Sequence, residues 1–136
     1  MGIPARYHRV GVRKESLQGI ILGFVYRVFP EVLDNHTWCE CYLSGKWISC
    51  EAQFDQELFE GMREKGFTVA SQIPAIDWDG ENDLLVLKPW VVEDFGTFAS
   101  QDDFWREFAK RFGQRFLQHI GMYVLSNRYT NSLRKR

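Results

Sequence analysis

The sequence lacks a long hydrophobic segment, a secretory signal and an excess of charge of either sign. No apolar run approaches the roughly 20 residues that a membrane-spanning helix needs, and the first residues lack the charged-then-apolar layout of a signal peptide. Seventeen basic and 18 acidic residues leave a formal net charge of −1. A balanced chain has no general attraction to polyanions or lipid headgroups, so we expect neither nucleic acid nor a membrane as a partner.

Cysteine is also scarce. Cys39, Cys41 and Cys50 are an odd number of thiols, which do not make a disulfide framework and favour a reducing compartment, so we predict a cytoplasmic protein. Cys39 and Cys50 could pair across a hairpin, but free buried thiols are the expected state. A zinc site needs four converging ligands, and His36 points away from all three thiols in the register derived below. We predict no metal and no cofactor.

Aromatic residues are abundant, with 11 Phe, five Trp and five Tyr making up 15% of the chain. Each can bury roughly 150–250 Å², so 136 residues can build a sizeable core, and a disordered chain is not expected. There is no internal repeat and no linker. Residues 1–136 are therefore predicted to form a single domain of class α+β.

The pattern predicts a strand over residues 5–12, which contain Tyr7 and two valines. Residues 16–29 carry apolar side chains at helical spacing, but glycines and β-branched residues weaken a helix there, and both interpretations stay open. Residues 67–98 have an irregular pattern with short apolar runs.

Two helices are predicted in the second half of the chain. Asp55 can cap a helix that Gly66 ends, and its apolar face would carry Leu58, Phe59 and Met62. A longer amphipathic helix is predicted to start near Ser100, with a core-facing stripe of aromatic and aliphatic residues between positions 104 and 120.

The clearest motif is a hairpin formed by residues 35–43 and 46–54 around a Ser44-Gly45 turn. In this register His36 faces Gln53, and side chains alternate between two faces. One face is expected to be polar, and it carries His36, Trp38, Glu40, Tyr42, Trp47, Ser49, Glu51 and Gln53. The other is expected to be buried, and it carries Cys39, Cys41, Leu43, Ile48, Cys50 and Ala52.

His36 and Glu51 are diagonal neighbours on the polar face, about 7–8 Å apart at the backbone. A carboxylate beside an imidazole can fix its tautomer and stabilise the imidazolium, which is half of a nucleophile–histidine–acid triad. The alternative is a solvated cross-strand pair on the surface. Spacing alone leaves both interpretations open.

Five segments together resemble the transglutaminase-like superfamily. Residues 36–43 (HTWCECYL) are similar to its H-x-W-x-E-x-Y strand, and residues 45–48 (GKWI) to its G-x-W-[VI] segment. Residues 51–55 (EAQFD) stand where that family has D-[PA]-T-[FY], and residues 2–7 (GIPARY) resemble its G-[IV]-P-A-R segment. Residues 77–80 (DWDG) are similar to a downstream segment of some bacterial members.

The resemblance implies a papain-like fold, in which a helix carrying a cysteine packs on an antiparallel sheet carrying histidine and acid. It implies thiol-dependent acyl transfer on a peptide or protein, ending in hydrolysis or crosslinking. His36 matches the general base, and Glu51 stands at the position of the orienting acid. Trp38 and Gln53, on the same face, are predicted to contact substrate.

Two departures from the family pattern argue against activity of this chain. The family's nucleophile lies upstream of the segment matched by Gly2 and its neighbours, and the three cysteines lie on the face opposite His36. The acid is Glu51, where the family has aspartate, and the extra methylene moves the carboxylate. We expect a domain truncated at its N-terminus, without the nucleophile and inactive alone. Either the given sequence begins late, or the protein is naturally short and a partner or second copy covers the sheet.

A sheet face without its helix would be an exposed patch, so self-association through that face is predicted. The alternative is a non-catalytic binding or assembly module, in which the aromatic face of Trp38, Tyr42 and Trp47 holds a peptide or protein.

Overall fold

The computed structural model describes residues 2–100, 102–103, 106 and 129–134. The strands in this part of the chain are β1 (Ala5–Arg13), β2 (Val32–Leu43), β3 (Lys46–Cys50) and β4 (Val91–Phe98). This part of the chain also contains the helices α1 (Gly23–Val28), α2 (Gln56–Glu64) and α3 (Thr68–Gln72), with 3₁₀ turns at Lys14–Leu17 and Lys88–Trp90. The predicted α+β class, an antiparallel sheet with packed helices, is confirmed.

The sheet has the strand order β3-β2-β1-β4, and each neighbouring pair is antiparallel. The predicted hairpin is confirmed at its turn, where Leu43 pairs with Lys46. Ser44 and Gly45 have φ angles of 50° and 85°. A two-residue turn with two positive φ angles matches the right-handed twist of the strands that it joins.

The hairpin ladder ends at the pair of Cys39 and Cys50. Beyond it, the backbone N–H of Glu51 donates to the carbonyl oxygen of Leu84 at 2.9 Å, so the chain turns away from β2. The predicted pairing of Gln53 with β2 is therefore wrong, and Gln53 is exposed.

The strand β1 was predicted, whereas no strand was predicted over residues 67–98, whose apolar pattern is irregular and where β4 lies. The β1–β4 register shifts between Arg9 and Val10 and again between Gly11 and Val12. Gly96 in β4 has a φ angle of 81°. Bulges of this kind interrupt the alternation of side chains by which a strand is recognised in a sequence.

The hydrophobic core lies on the face of the sheet that carries His36. Val10 is directly opposite His36 in the β1–β2 ladder, and opposed residues share a face. Val10, Val12 and Trp38 are all buried in one cluster. The other core members include Leu58, Met62, Val69, Val86, Leu87 and Trp90.

This placement corrects the predicted assignment of the two hairpin faces. Trp38 and Glu40, on the face expected to be polar, are buried. On the opposite face the three cysteines are only half-buried, Ile48 is buried and Ala52 is exposed. The hairpin alone could not reveal this, because β1 brings the core-forming valines onto the His36 face.

The helix α2 has the predicted boundaries. The Asp55 carboxylate accepts a hydrogen bond from the backbone N–H of Leu58 at 2.8 Å, and Gly66 follows the helix with a φ angle of 69°. Near the chain end, Arg134 donates to the same carboxylate at 2.9 Å. The helical residues 129–133, which Arg134 follows, are thereby joined to the start of α2.

Residues 16–29, for which two interpretations were open, form a 3₁₀ turn, a positive-φ Gly19 and the short helix α1. Ile20, Ile21 and Val25 are buried, whereas Phe24 is exposed. The predicted long helix after Ser100 lies largely outside the described residues. Within the described chain, no helix has the length and apolar character required to cross a membrane.

Candidate functional site

His36 on β2 and Glu51, just after β3, are in direct contact. His36 Nε2 is hydrogen-bonded to Glu51 Oε1, and the two side chains are only 12% and 2% exposed. The second carboxylate oxygen accepts the backbone N–H of Leu87 at 2.9 Å. The pair is therefore enclosed, which rules out the alternative of a solvated surface pair.

Glu51 is held from both sides by the segment that ends at Leu87. Its backbone N–H bonds the carbonyl of Leu84, whose own N–H donates to the carbonyl oxygen of Ser49 at 2.9 Å. This short parallel pairing places Leu84 beside Cys50, at the end of the edge strand β3. From this position the Glu51 carboxylate contacts both His36 of β2 and the backbone N–H of Leu87.

The contact fixes the tautomer of the neutral His36 ring. A carboxylate only accepts hydrogen bonds, so Nε2 carries the proton and Nδ1 presents a lone pair. Among the described residues none is hydrogen-bonded to Nδ1. A histidine with an oriented ring and a free basic nitrogen can take a proton from a nucleophile.

A second charged cluster lies on the same face, centred on His8 of β1. His8 Nδ1 is 2.6 Å from Glu40 Oε1, and His8 Nε2 is 2.8 Å from Asp94 Oδ1. Arg6 Nε donates to the other oxygen of Glu40 at 2.5 Å. Both His8 nitrogens are engaged by acceptors, so His8 has no nitrogen directed at a substrate.

Trp38 lies between the two histidines. Its ring centroid is 4.9 Å from that of His8 and 6.2 Å from that of His36, within the range of aromatic contacts. The structure therefore brings together His36, Glu51 and Trp38 of the predicted site residues. Gln53 is exposed, and the buried ring of Trp38 packs in the core.

The three cysteines are free thiols on the sheet face opposite His36. Burial is the main cause that raises the pKa of Cys39, and the neighbouring Cys41 raises it further. Burial likewise raises the pKa of Cys50. A raised pKa lowers the fraction of reactive thiolate in Cys39 and Cys50, and the position of all three thiols on the opposite face does not suit attack on a substrate beside His36.

Hydrogen bonds between its own residues hold the acidic loop at residues 77–83. The Asp79 carboxylate accepts from the backbone N–H groups of Glu81 and Asn82, both at 2.8 Å. Its hydrogen bonds to the side chain and backbone of Asn82, followed by that from Glu81, lower the pKa of Asp79 to about 2. Over the ranges described above, no three His, Cys, Asp or Glu side chains are grouped to hold a metal ion.

Several members of the two clusters were missed from the sequence. Arg6 and His8 are two residues apart on β1, which places both on one face of the strand. Their partner Glu40, however, lies on another strand. Asp94 could not be found, because β4 was not recognised. The Leu87 N–H carries no sequence signal, since any residue except proline offers that donor.

No protein family model, no curated protein and no solved structure matches this chain. The candidate site is therefore interpreted from its own geometry.

Proposed function

We propose that this chain is a transglutaminase-like domain in which His36 and Glu51 are the base and the orienting acid of a thiol acyl-transfer site. The observation that supports the proposal is the buried Glu51 carboxylate, shared between His36 Nε2 and the Leu87 N–H. A histidine on one strand and an acid at the end of the next is the arrangement that the resemblance implies.

In this site His36 Nδ1 would take the proton of an incoming thiol, and the thiolate would attack an amide carbonyl to form a tetrahedral adduct. Collapse of the adduct passes the proton from His36 to the leaving amine and leaves a thioester. Water or a second amine then attacks the thioester and gives its proton to His36. The C–S bond breaks, the acyl group is released, and His36 returns the proton to the leaving thiolate. Glu51 stabilises the imidazolium form throughout.

The thiol would have to come from outside the three cysteines present here, because all of them lie on the opposite face. We therefore propose that this chain alone supplies half of the site and lacks amide chemistry. The free state of the three thiols agrees with the proposed cytoplasmic location.

The test compares the 136-residue chain with a form that includes any coding sequence preceding Met1 in frame. Each is assayed on an activated ester and an activated amide. We expect the extended form to turn over both, to be blocked by iodoacetamide, and to lose about 100-fold or more with His36→Ala. Asn35→Ala, at an exposed neighbour, is the matched control.

The 136-residue chain alone is assayed with a small added thiol, and we expect a His36-dependent acceleration of thioester formation. A folded extended form that is inert toward both substrates, or activity that survives His36→Ala, would overturn the proposal.

A second candidate, a peptide-binding or self-assembly module, rests on a narrower surface than the sequence predicted. Trp38 is buried, but Tyr42 and Trp47 are 42% and 38% exposed, with ring centroids 5.3 Å apart. The Arg6 guanidinium lies 4.1 Å from the Trp47 ring centroid. Such an exposed aromatic pair can anchor a peptide or a second copy of the chain.

Sedimentation velocity at increasing protein concentration tests the predicted self-association. We expect a dimer that Trp47→Ala weakens, whereas Trp78→Ala, at another exposed tryptophan, leaves it intact. A monomer at every concentration counts against assembly through this surface.

A further inference from the structure

His8 connects three strands of the sheet. It lies on β1, and its ring nitrogens face Glu40 of β2 and Asp94 of β4 at 2.6 and 2.8 Å. Neither carboxylate can donate a proton when ionised, so satisfying both requires the doubly protonated imidazolium. The geometry therefore favours a positively charged His8 at the point where β1 meets both β2 and β4.

The surrounding charges favour this form. Arg6 pairs with the second oxygen of Glu40, so the cluster alternates in sign from Arg6 through Glu40 and His8 to Asp94. Burial lowers the pKa of His8, but the hydrogen bonds and charges of Glu40 and Asp94 outweigh it and raise that pKa. Burial raises the pKa of Glu40, and hydrogen bonds from His8 and Arg6 more than reverse this.

The cluster reaches the candidate site through Trp38. In the β1–β2 ladder, His8 is directly opposite Trp38 and Val10 is opposite His36, so the three rings follow one another along the same face. Trp38 is 8% exposed, and a tightly packed ring transmits the displacement of a neighbour.

We propose that His8 is a pH-sensitive positioning residue for the His36–Glu51 pair. As an imidazolium it ties β4 to β1 and holds Trp38 against His36. On deprotonation it keeps a single N–H, which can satisfy only one carboxylate. Asp94, whose side chain is 64% exposed, can be solvated and is released, whereas Glu40 is buried and remains paired with Arg6. The consequence for catalysis rests on the proposed function, but the coupling between the rings does not.

The test is side-chain NMR of the intact chain between about pH 5.5 and 9, the range in which histidines titrate. The signals observed are the imidazole of His8, the indole N–H of Trp38 and the imidazole of His36. We expect the signals of Trp38 and His36 to show an inflection at the pH where His8 itself titrates. If the signals of Trp38 and His36 do not change at the pH where His8 titrates, the proposal is overturned.

His8→Gln retains a donor without the charge, and it should remove that inflection from both residues. His8→Lys keeps the charge and should hold the Trp38 signal near its low-pH position. Should the glutamine variant not fold, Asp94→Asn at the exposed partner replaces it. It should move the inflection to lower pH, because one of the two charges that raise the pKa of His8 is removed, and an inflection that stays in place contradicts the inference. No turnover is needed, so an inactive protein leaves this test intact.

Discussion

Replacing Glu51 by glutamine tests the candidate site without changing its volume. The carboxylate accepts from two donors, His36 Nε2 and the Leu87 N–H. Glutamine has one carbonyl oxygen and one NH₂ group, so it can accept from one of these donors and must turn its own donor toward the other. The side chain is 2% exposed, and water has little access to relieve the conflict.

The expected cost follows from these two contacts. Losing a hydrogen bond to a charged acceptor costs about 1.5–3 kcal/mol, and an unsatisfied buried donor about 1–3 kcal/mol. The neutral glutamine avoids the desolvation penalty of a buried carboxylate, which offsets part of this cost. We expect Glu51→Gln to lower the free energy of unfolding by about 2 kcal/mol, a large fraction of the roughly 5–15 kcal/mol that stabilises a domain.

Urea denaturation at neutral pH measures this difference, with Glu57→Gln on the exposed first turn of α2 as the control. A double-mutant cycle with His36→Gln should show a coupling energy of about 1 kcal/mol or more. If Glu51→Gln costs no more than the control, or if the two changes are additive, the carboxylate does not hold His36 and the reasoning fails.

Three further changes probe the fold around the site. Gly61→Ala should destabilise the protein in thermal denaturation, because the new methyl group would overlap the carbonyl of Leu133. Gly23→Ala, with open space around it, is the control. An unchanged Tm for Gly61→Ala contradicts this packing. Asp55→Ala should cost about 1 kcal/mol through loss of the helix cap, whereas Asp55→Asn keeps most of it; equal urea midpoints for the two variants would refute the cap. The pKa of His8 is raised in the folded protein, so its stabilisation should be complete below its ordinary pKa of about 6.5 and disappear as the pH rises through the raised value. Urea titrations of wild type and His8→Gln should therefore converge at high pH, and a constant difference would exclude the linkage.

Local signals in the sequence determined the local structure. The Ser44-Gly45 turn set the hairpin register, because a two-residue connection leaves only one pairing for the strands beside it. Asp55 and Gly66 marked the limits of α2, since a cap and a left-handed residue satisfy the backbone groups at its ends. By contrast, β4 was missed, because Gly96 and the bulges against β1 interrupt its alternation.

For the candidate site, the sequence by itself determined that His36 and Glu51 lie close together, because both belong to one hairpin and its immediate continuation. Only the tertiary structure decided that they are enclosed. Val10 of β1 places the core on their face, and the segment ending at Leu87 supplies the second donor to the carboxylate. The charge on His8 depends on partners 32 and 86 residues away. Local patterns predict turns and caps from neighbouring residues, whereas burial and charge pairing depend on strands that meet only in the folded chain.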